Sequence, residues 1–167
     1  MALGQIESRA AVDALIVHAE REDNQDVLKS LIWALGQIED ERAVDGLFKM
    51  WDRMEDPDAR GQIAWALGQI ESEDATQGLM KMMQLEADAE VRKQIAWALG
   101  QIEDERAVGR LVRVLETEEE PEVRQQIAWA LGRLKTNVQL SLVRGAQARV
   151  RQQRSAADGM GAGADRR

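Results

Sequence analysis

Residues that usually carry catalysis are scarce or scattered in this sequence. There is one histidine, His18, and there is no cysteine. A cluster of His and Cys ligands for a transition metal is therefore excluded, and so is a thiol nucleophile. Carboxylates recur as short acidic runs, such as residues 39–41, 71–74 and 103–105. A general acid–base pair is a single constellation, not a recurring run. We predict a protein that is not an enzyme and that needs no cofactor or metal.

Tryptophan and glutamine recur at one fixed spacing. The decapeptide QIAWALGQIE occupies residues 62–71 and again 94–103, and four Trp residues follow each other in steps of 32 residues. An indole ring is a large, flat anchor, and a Gln amide offers both a donor and an acceptor to a peptide backbone. These types favour binding of a polypeptide. The predicted binding residues are Trp33, Trp65, Trp97, Trp129, Gln37, Gln69, Gln101, Gln62, Gln94, Gln126 and Arg133.

Two helices in each period must position these residues. The first carries an apolar stripe at the helical spacing, seen at Val123, Ile127, Ala130, Leu131 and Leu134. Two copies of this helix are predicted to begin at Pro57 and Pro121, because proline suits the first position of a helix. The second helix is predicted to begin behind a capping residue, at Ser8, Asp40, Ser72 and Asp104. Short connections make consecutive helices antiparallel neighbours.

A two-helix unit of this size cannot bury its apolar face alone, but stacked copies can. The sequence therefore predicts an all-α fold, an α-solenoid of antiparallel helix pairs with a 32-residue period. We expect the solenoid at residues 1–135, with about four and a half repeats and a truncated first repeat that turns at Ser8. Residues 136–154 are predicted as a C-terminal helix or basic segment. Residues 155–167 are predicted as a disordered tail.

The tryptophans fall on the side of their helix that faces away from the apolar stripe. On a helical wheel, Trp129 shares that side with Glu122, Gln125, Gln126 and Arg133. The glycine three residues later is expected to permit close approach of a neighbouring helix, and it could also help to end the helix. Stacked repeats would thus draw a stripe of Trp and Gln along one surface.

The segments EVRQQIAWALGRL and WALGQIEDERAVGRL resemble the HEAT-like repeat of the phycobilisome-lyase type, over residues 1 to about 135. The resemblance implies that the Trp helices line the concave side of the solenoid. It also implies a ladder in which Arg60, Arg92 and Arg124 meet acidic residues of adjacent repeats, with a break at Leu28. Relatives include a deoxyhypusine hydroxylase that holds iron with repeated His-Glu pairs, and this sequence has no such pairs.

Charge narrows the class of partner. The net charge is −8, whereas residues 144–167 contain six Arg and two Asp, so the repeats hold the negative charge. An acidic body disfavours nucleic acid and anionic membranes as partners and suits a basic peptide or protein. The armadillo importins bind basic peptides on rows of Trp and Asn in a similar way. The chain's own segment GAQARVRQQR, residues 145–154, is one candidate occupant. Since there is no Cys and no signal peptide, we predict a cytoplasmic protein.

Three alternatives remain at this stage. The tryptophans could stack in a ladder and close the surface without a partner. The chain could be a bilin-lyase-like or chaperone-like subunit that binds a pigment or another small molecule. It could also form a homo-oligomer through an uncapped N-terminal edge.

Overall fold

A computed structural model describes the backbone of residues 2–134 and the side chains of residues 10–134. The helices are α1 (Ala2–Arg21), α2 (Gln25–Ile38), α3 (Ala43–Trp51), α4 (Pro57–Ile70), α5 (Ala75–Leu85), α6 (Ala89–Ile102), α7 (Val108–Thr117) and α8 (residues 121–134). A short 3-10 helix, Glu105–Ala107, precedes α7. These residues include no strand, so the predicted all-α fold is confirmed. The predicted segments 136–154 and 155–167 lie outside the described residues.

The helices alternate between two layers. Helices α2, α4, α6 and α8 each carry one of the repeated tryptophans and pack side by side, and we call them the Trp layer. Helices α1, α3, α5 and α7 form the outer layer. Each of the first three pairs with the Trp-layer helix that follows it in sequence. This arrangement of stacked antiparallel pairs is the predicted α-solenoid.

Close approach of the Trp-layer helices depends on the repeated glycines. A Cβ atom placed on Gly36, Gly68 or Gly100 would lie only 2.9–3.1 Å from the Cα atom of an alanine in the next Trp-layer helix. The expected packing role of these glycines is therefore confirmed. Helices α3 and α5 of the outer layer do not approach each other in this way. The Trp-layer helices are therefore the more closely packed of the two layers.

Glutamate, not glycine, ends the Trp-layer helices. Glu39, Glu71 and Glu103 follow α2, α4 and α6 in the left-handed conformation, with φ of 55°, 52° and 56°. This conformation is unfavourable for a residue with a side chain. The suggestion that the repeated glycine helps to end the helix is therefore wrong, because the helix continues for two residues beyond it.

The predicted capping residues bind the turn that precedes each outer-layer helix and not the first turn of the helix itself. The side chains of Asp40, Ser72 and Asp104 accept hydrogen bonds from the N–H groups two residues later, at 3.1, 3.3 and 3.0 Å. Asp104 thereby caps the 3-10 helix, while α3 and α5 start at Ala43 and Ala75, each three residues beyond Asp40 and Ser72. Before the Trp-layer helices, Asn24, Asp56 and Asp88 are conventional N-caps.

The predicted turn at Ser8 is wrong, because α1 runs without interruption from Ala2 to Arg21. In later repeats the chain turns at the equivalent position through a strained glutamate. There a helix of 14 residues is available for the next helix to pack against. Only residues 2–7 of the described chain precede Ser8, which is less than two helical turns. A continuous helix keeps its backbone hydrogen bonds and avoids the left-handed residue.

The core follows the predicted stripe. Leu28, Ile63, Leu67, Ile95 and Leu99 are among its fully buried side chains. Met50, Met80 and Met83 are also buried, and Trp51 packs against the core from its edge. The methionines therefore fill the interior, and His18 lies exposed on α1.

Arginine–glutamate pairs join successive repeats, as the resemblance implied. The guanidinium of Arg60 binds both carboxylate oxygens of Glu86, at 2.7 and 3.0 Å, and Arg92 binds both oxygens of Glu118, at 2.8 Å each. Each arginine also donates to two backbone carbonyls of the loop before its own helix. Within residues 10–134, Arg124 donates to the carbonyls of Glu118 and Glu119 and pairs with no carboxylate. We call the two complete pairs polar rungs.

The ladder is interrupted at Leu28, as expected. There, an apolar residue also occupies the position of the glutamate partner. Leu28 stands 26 residues before Met54, the same separation as in the polar rungs, and both side chains are buried in the core. We call Leu28 and Met54 the apolar rung. By the spacing of the polar rungs, an arginine at 28 would face the carbonyls of Glu22 and Asp23. Of these two, the Glu22 carbonyl is bound by another arginine. Arg53 donates to the carbonyls of Ala19 and Glu22, at 2.7 Å each.

Candidate functional site

The four repeated tryptophans lie in one layer but differ in exposure. Trp33 is 58% exposed and Trp129 is 41% exposed. Trp65 and Trp97 are half-buried and pack against the core. The prediction that these residues lie outside the core stripe thus describes the two end positions best. The two central rings contribute to the packing between repeats.

Each of three rings rests on the glycine of the preceding Trp-layer helix. The ring atom Cζ3 of Trp65, Trp97 and Trp129 would lie within 2.6–2.8 Å of a Cβ atom built on Gly36, Gly68 and Gly100, respectively. The absence of a side chain at these glycines therefore makes room for the ring as well as for the neighbouring helix. We call this arrangement the Trp–Gly joint. It gives the central tryptophans a structural role that spacing alone did not reveal.

The predicted Gln residues lie on the same helices as the tryptophans. Gln37 and Gln62 are exposed, and the other four are partly buried. Near the end of α8, Arg133 donates to the Gln101 side chain at 2.6 Å and lies 5.4 Å above the Trp129 ring. Arg133 also binds Glu103. The C-terminal end of the predicted stripe is therefore an ordered polar cluster around one half-exposed indole.

A groove of about 550 Å³ opens between α4 and α6 on the Trp layer. It is lined by the Trp65 ring, by the amides of Gln62 and Gln94, and by the carboxylates of Asp58, Asp88 and Glu90. Gly61 lies in its wall, and Lys29 reaches its edge from α2. Three of the predicted binding residues thus share one groove. Its acidic members were not among the predicted site residues.

Lysine fills the comparable space on either side of this groove. Lys29 forms an ion pair with Asp56, and Lys93 reaches Glu90 at 2.5 Å and Glu122 at 3.3 Å. The hydrogen bond from Lys29 lowers the pKa of Asp56, and the same contact raises the pKa of Lys29. The hydrogen bond that Lys93 donates to Glu90 likewise raises the pKa of Lys93. Both lysines therefore remain charged at neutral pH. Lys29 is held by a carboxylate of the next repeat, and Lys93 is held by Glu90 of its own helix and by Glu122 of the next repeat.

The groove could have been recognised from the period alone. The position occupied by Lys29, Gly61, Lys93 and Gln125 is the same in each repeat, and only the second copy lacks a side chain. A search for residues that are identical in every repeat misses this position, because its residue differs from one repeat to the next.

The remaining chemistry of the described residues is limited. Among them, no three His, Asp or Glu side chains are grouped so that they could hold a metal ion. None of the helices in this part of the chain is both long and apolar enough to cross a membrane.

Comparison with known proteins places the fold. A family model of HEAT repeats matches residues 12–96 and 84–158. No curated protein matches the sequence. Among solved structures, human deoxyhypusine hydroxylase in complex with glycerol is similar with a TM-score of 0.71 and 20% sequence identity. The match covers 84% of this chain and 49% of the enzyme, so the chain spans about half of that protein's length. At this identity the likeness shows the fold alone.

The matched ranges include all of the helical pairs from α2 to α8 and most of the sequence. The 32-residue period, the two-layer stacking and the family match agree with one another. The chain belongs to the HEAT-repeat family.

Proposed function

We propose that this protein is an interaction module that holds a segment of a partner polypeptide along its Trp layer. Membership of the HEAT-repeat family supports a protein-interaction scaffold in general terms. The observation that carries the finer proposal is the exposure of Trp33 and Trp129 on the layer that also presents Gln37 and Gln62. Exposed indoles beside amides suit a partner that offers apolar side chains and an unpaired backbone.

The exposed indole surface is large enough to contribute to the binding of a peptide. Together, the exposed parts of Trp33 and Trp129 offer about 200 Å² of indole surface, taking about 200 Å² for a whole side chain. Burial of this surface is worth about 5 kcal/mol before the entropy lost on association is subtracted. Hydrogen bonds to the Gln amides add specificity. Binding in the micromolar range would therefore need further contacts, which an extended segment crossing several repeats can provide.

Selection of displayed random peptides against the full chain tests the proposal. We expect enriched peptides that bind saturably and lose at least tenfold in affinity on Trp33→Ala. Trp33 suits this test because its ring is largely exposed, so its removal leaves the core intact. The matched control is Leu85→Ala, which removes a 75% exposed apolar side chain from the outer layer and is expected to leave the affinity unchanged.

Two outcomes would contradict the proposal. Selection could yield no peptide that binds saturably to the full chain. Alternatively, the enriched peptides could be weakened equally by Trp33→Ala and Leu85→Ala, which would mean that the Trp layer is not the surface they occupy.

A further inference from the structure

Gly61 is not required by the fold. It lies within α4, where glycine destabilises a helix relative to other residues. Its φ is not positive, and a Cβ atom placed on it would meet only Gln94 Cγ, at 3.7 Å. An alanine or a longer side chain would therefore fit there. The role of Gly61 differs from that of the glycines in the Trp–Gly joints, whose Cβ atoms would collide with a neighbouring helix.

The missing side chain leaves Asp88 without the lysine that its equivalent has, whereas Glu90 keeps Lys93 of its own helix. Asp88 is equivalent to Asp56, which binds Lys29, and Glu90 is equivalent to Glu122, which binds Lys93. At the groove, the equivalent lysine position is Gly61. Within residues 10–134, no Lys or Arg forms an ion pair with Asp58 or Asp88, and Glu90 shares Lys93 with Glu122.

From this comparison between repeats, we propose that the groove at Gly61 is a pocket for one cationic side chain, Arg or Lys, of a bound polypeptide. The partner's cation occupies the space that Lys29 and Lys93 fill in the adjacent repeats. The carboxylates of Asp58, Asp88 and Glu90 hold the charge, the Trp65 ring receives it by a cation–π contact, and Gln62 and Gln94 face the adjoining backbone. The groove volume of about 550 Å³ admits an Arg side chain together with part of its backbone.

This inference rests on the proposed function and specifies it: the partner segment is basic, and the anchoring position lies between α4 and α6. Arginine is favoured over lysine because its planar group can stack on the indole and bind a carboxylate with two hydrogen bonds at once. The pocket also explains why the groove is acidic although Lys29 stands at its edge, since Asp56 already holds that lysine.

The test is a titration of the full chain with acetyl-Gly-Arg-Gly-amide, followed through the indole N–H signal of Trp65 in a nitrogen-15 correlation spectrum. We expect a saturable shift of this signal. Acetyl-Gly-citrulline-Gly-amide, which has nearly the same shape but no charge, is expected to cause no saturable shift. Gly61→Lys provides the cation from within the chain and should reduce the affinity for the arginine peptide at least tenfold. Gly109→Lys, which makes the same charge change on α7, should change the affinity less than twofold.

A second measurement uses no peptide. Gly61→Lys should melt at a higher temperature than Gly61→Gln in low salt, and the difference should vanish in 1 M salt, because only the lysine gains carboxylate partners. The inference is overturned if the arginine peptide does not shift the Trp65 signal, or if Gly61→Lys and Gly109→Lys bind it equally. The proposed function has a separate test, since peptides selected on the Trp layer could still depend on Trp33 when Gly61→Lys has no effect.

Discussion

At the scale of the residue, one type of side chain serves two purposes in this array. The central indoles of Trp65 and Trp97 pack on glycine and on the core. The Trp129 ring also rests on a glycine but is 41% exposed, and Trp33 is 58% exposed. The same residue is therefore a packing element in the middle of the Trp layer and an available surface at its ends. Substitutions at the central and end positions should have different consequences, mainly for stability in the first case and for binding in the second.

The Trp–Gly joint predicts a large effect of a single methyl group. Gly68→Ala should lower the free energy of unfolding by about 2 kcal/mol, because the new Cβ would lie 2.7 Å from Trp97 Cζ3 and 2.9 Å from the backbone of Ala98. Urea unfolding measures this change. Gly61→Ala is the control. It adds the same atom within the same helix, at an ordinary van der Waals distance of 3.7 Å from Gln94 Cγ, and should raise the stability by about 1 kcal/mol. Equal effects of both variants would argue against the joint.

The strained helix ends predict a stabilising substitution. Glu71→Gly should raise the free energy of unfolding by about 1 kcal/mol, because glycine adopts the left-handed conformation of residue 71 without a steric penalty. Glu71→Ala is the control, since alanine retains the penalty. A gain for the alanine variant equal to that of the glycine variant would show that removal of the charge, and not backbone strain, is responsible.

At the scale of the helix, the polar and apolar rungs are two solutions to one packing problem. Arg92→Leu alone should destabilise the protein by about 3 kcal/mol, because it leaves the buried Glu118 carboxylate without its cation. Arg92→Leu with Glu118→Met copies the apolar rung and should restore most of this loss. Adding Thr117→Arg copies Arg53, whose guanidinium binds the carbonyls of Ala19 and Glu22 beside the apolar rung, and should restore more. Urea unfolding of the four proteins provides the comparison.

If the double variant were as unstable as Arg92→Leu alone, an apolar rung could not replace a polar rung. In that case the arginine's bonds to the carbonyls of Glu86 and Ala87, and not its ion pair, would be the main stabilising contacts of the rung.

The polar rungs also predict a dependence on pH. The hydrogen bond from Arg92 holds the pKa of Glu118 below its usual value. Burial raises the pKa of Glu86, but the hydrogen bonds from Arg60 and the backbone outweigh burial and lower it overall. Because the folded protein releases these protons more readily than the unfolded chain, the rungs stabilise the fold above about pH 4.3. This contribution is lost as the pH falls through the lowered pKa values.

Melting temperatures measured between pH 7 and pH 3 test this dependence. The parent protein should lose stability below about pH 4.3, and the variant Arg92→Leu with Glu118→Met should lose less, because it has one polar rung fewer. Parallel curves for the two proteins would mean that other carboxylates cause the acid sensitivity.

At the scale of the whole array, the period predicts which repeat can be removed. A chain lacking residues 69–100 would place Trp129 on Gly68 and bring Glu118 to Arg60, so that both the Trp–Gly joint and the polar rung are re-formed. A chain lacking residues 37–68 would instead bring Glu86 to Leu28 and bury a carboxylate against an apolar side chain. We expect the first deletion to unfold cooperatively and the second to be less stable by about 3 kcal/mol. Circular dichroism with urea checks both.

Much of this structure follows from periodicity, and the exceptions have physical causes. The two helices per repeat, the buried stripe and the close approach at Gly36, Gly68 and Gly100 could be predicted, because they depend on residue types at fixed spacing. The continuous helix α1 could not, because the turn at Ser8 depends on a packing partner and not on the capping residue. The candidate site was predicted in part: the Trp and Gln positions lie in one layer. The acidic groove was not predicted, because it arises where Gly61 replaces the side chain found in the other repeats. The prediction was based on residues that the repeats share.

The apolar rung has a consequence for how the chain finds its fold. The joints between repeats are nearly identical, so a folding chain could seat Trp97 on Gly36 as readily as on Gly68. Such a slip of one whole repeat would still place a tryptophan and an alanine against Gly36. Leu28 and Met54 remove this ambiguity, because a slipped chain would have to bury Glu86 beside Leu28. The pair thus specifies the register of the array, because it distinguishes the first interface between repeats from interfaces that are otherwise alike.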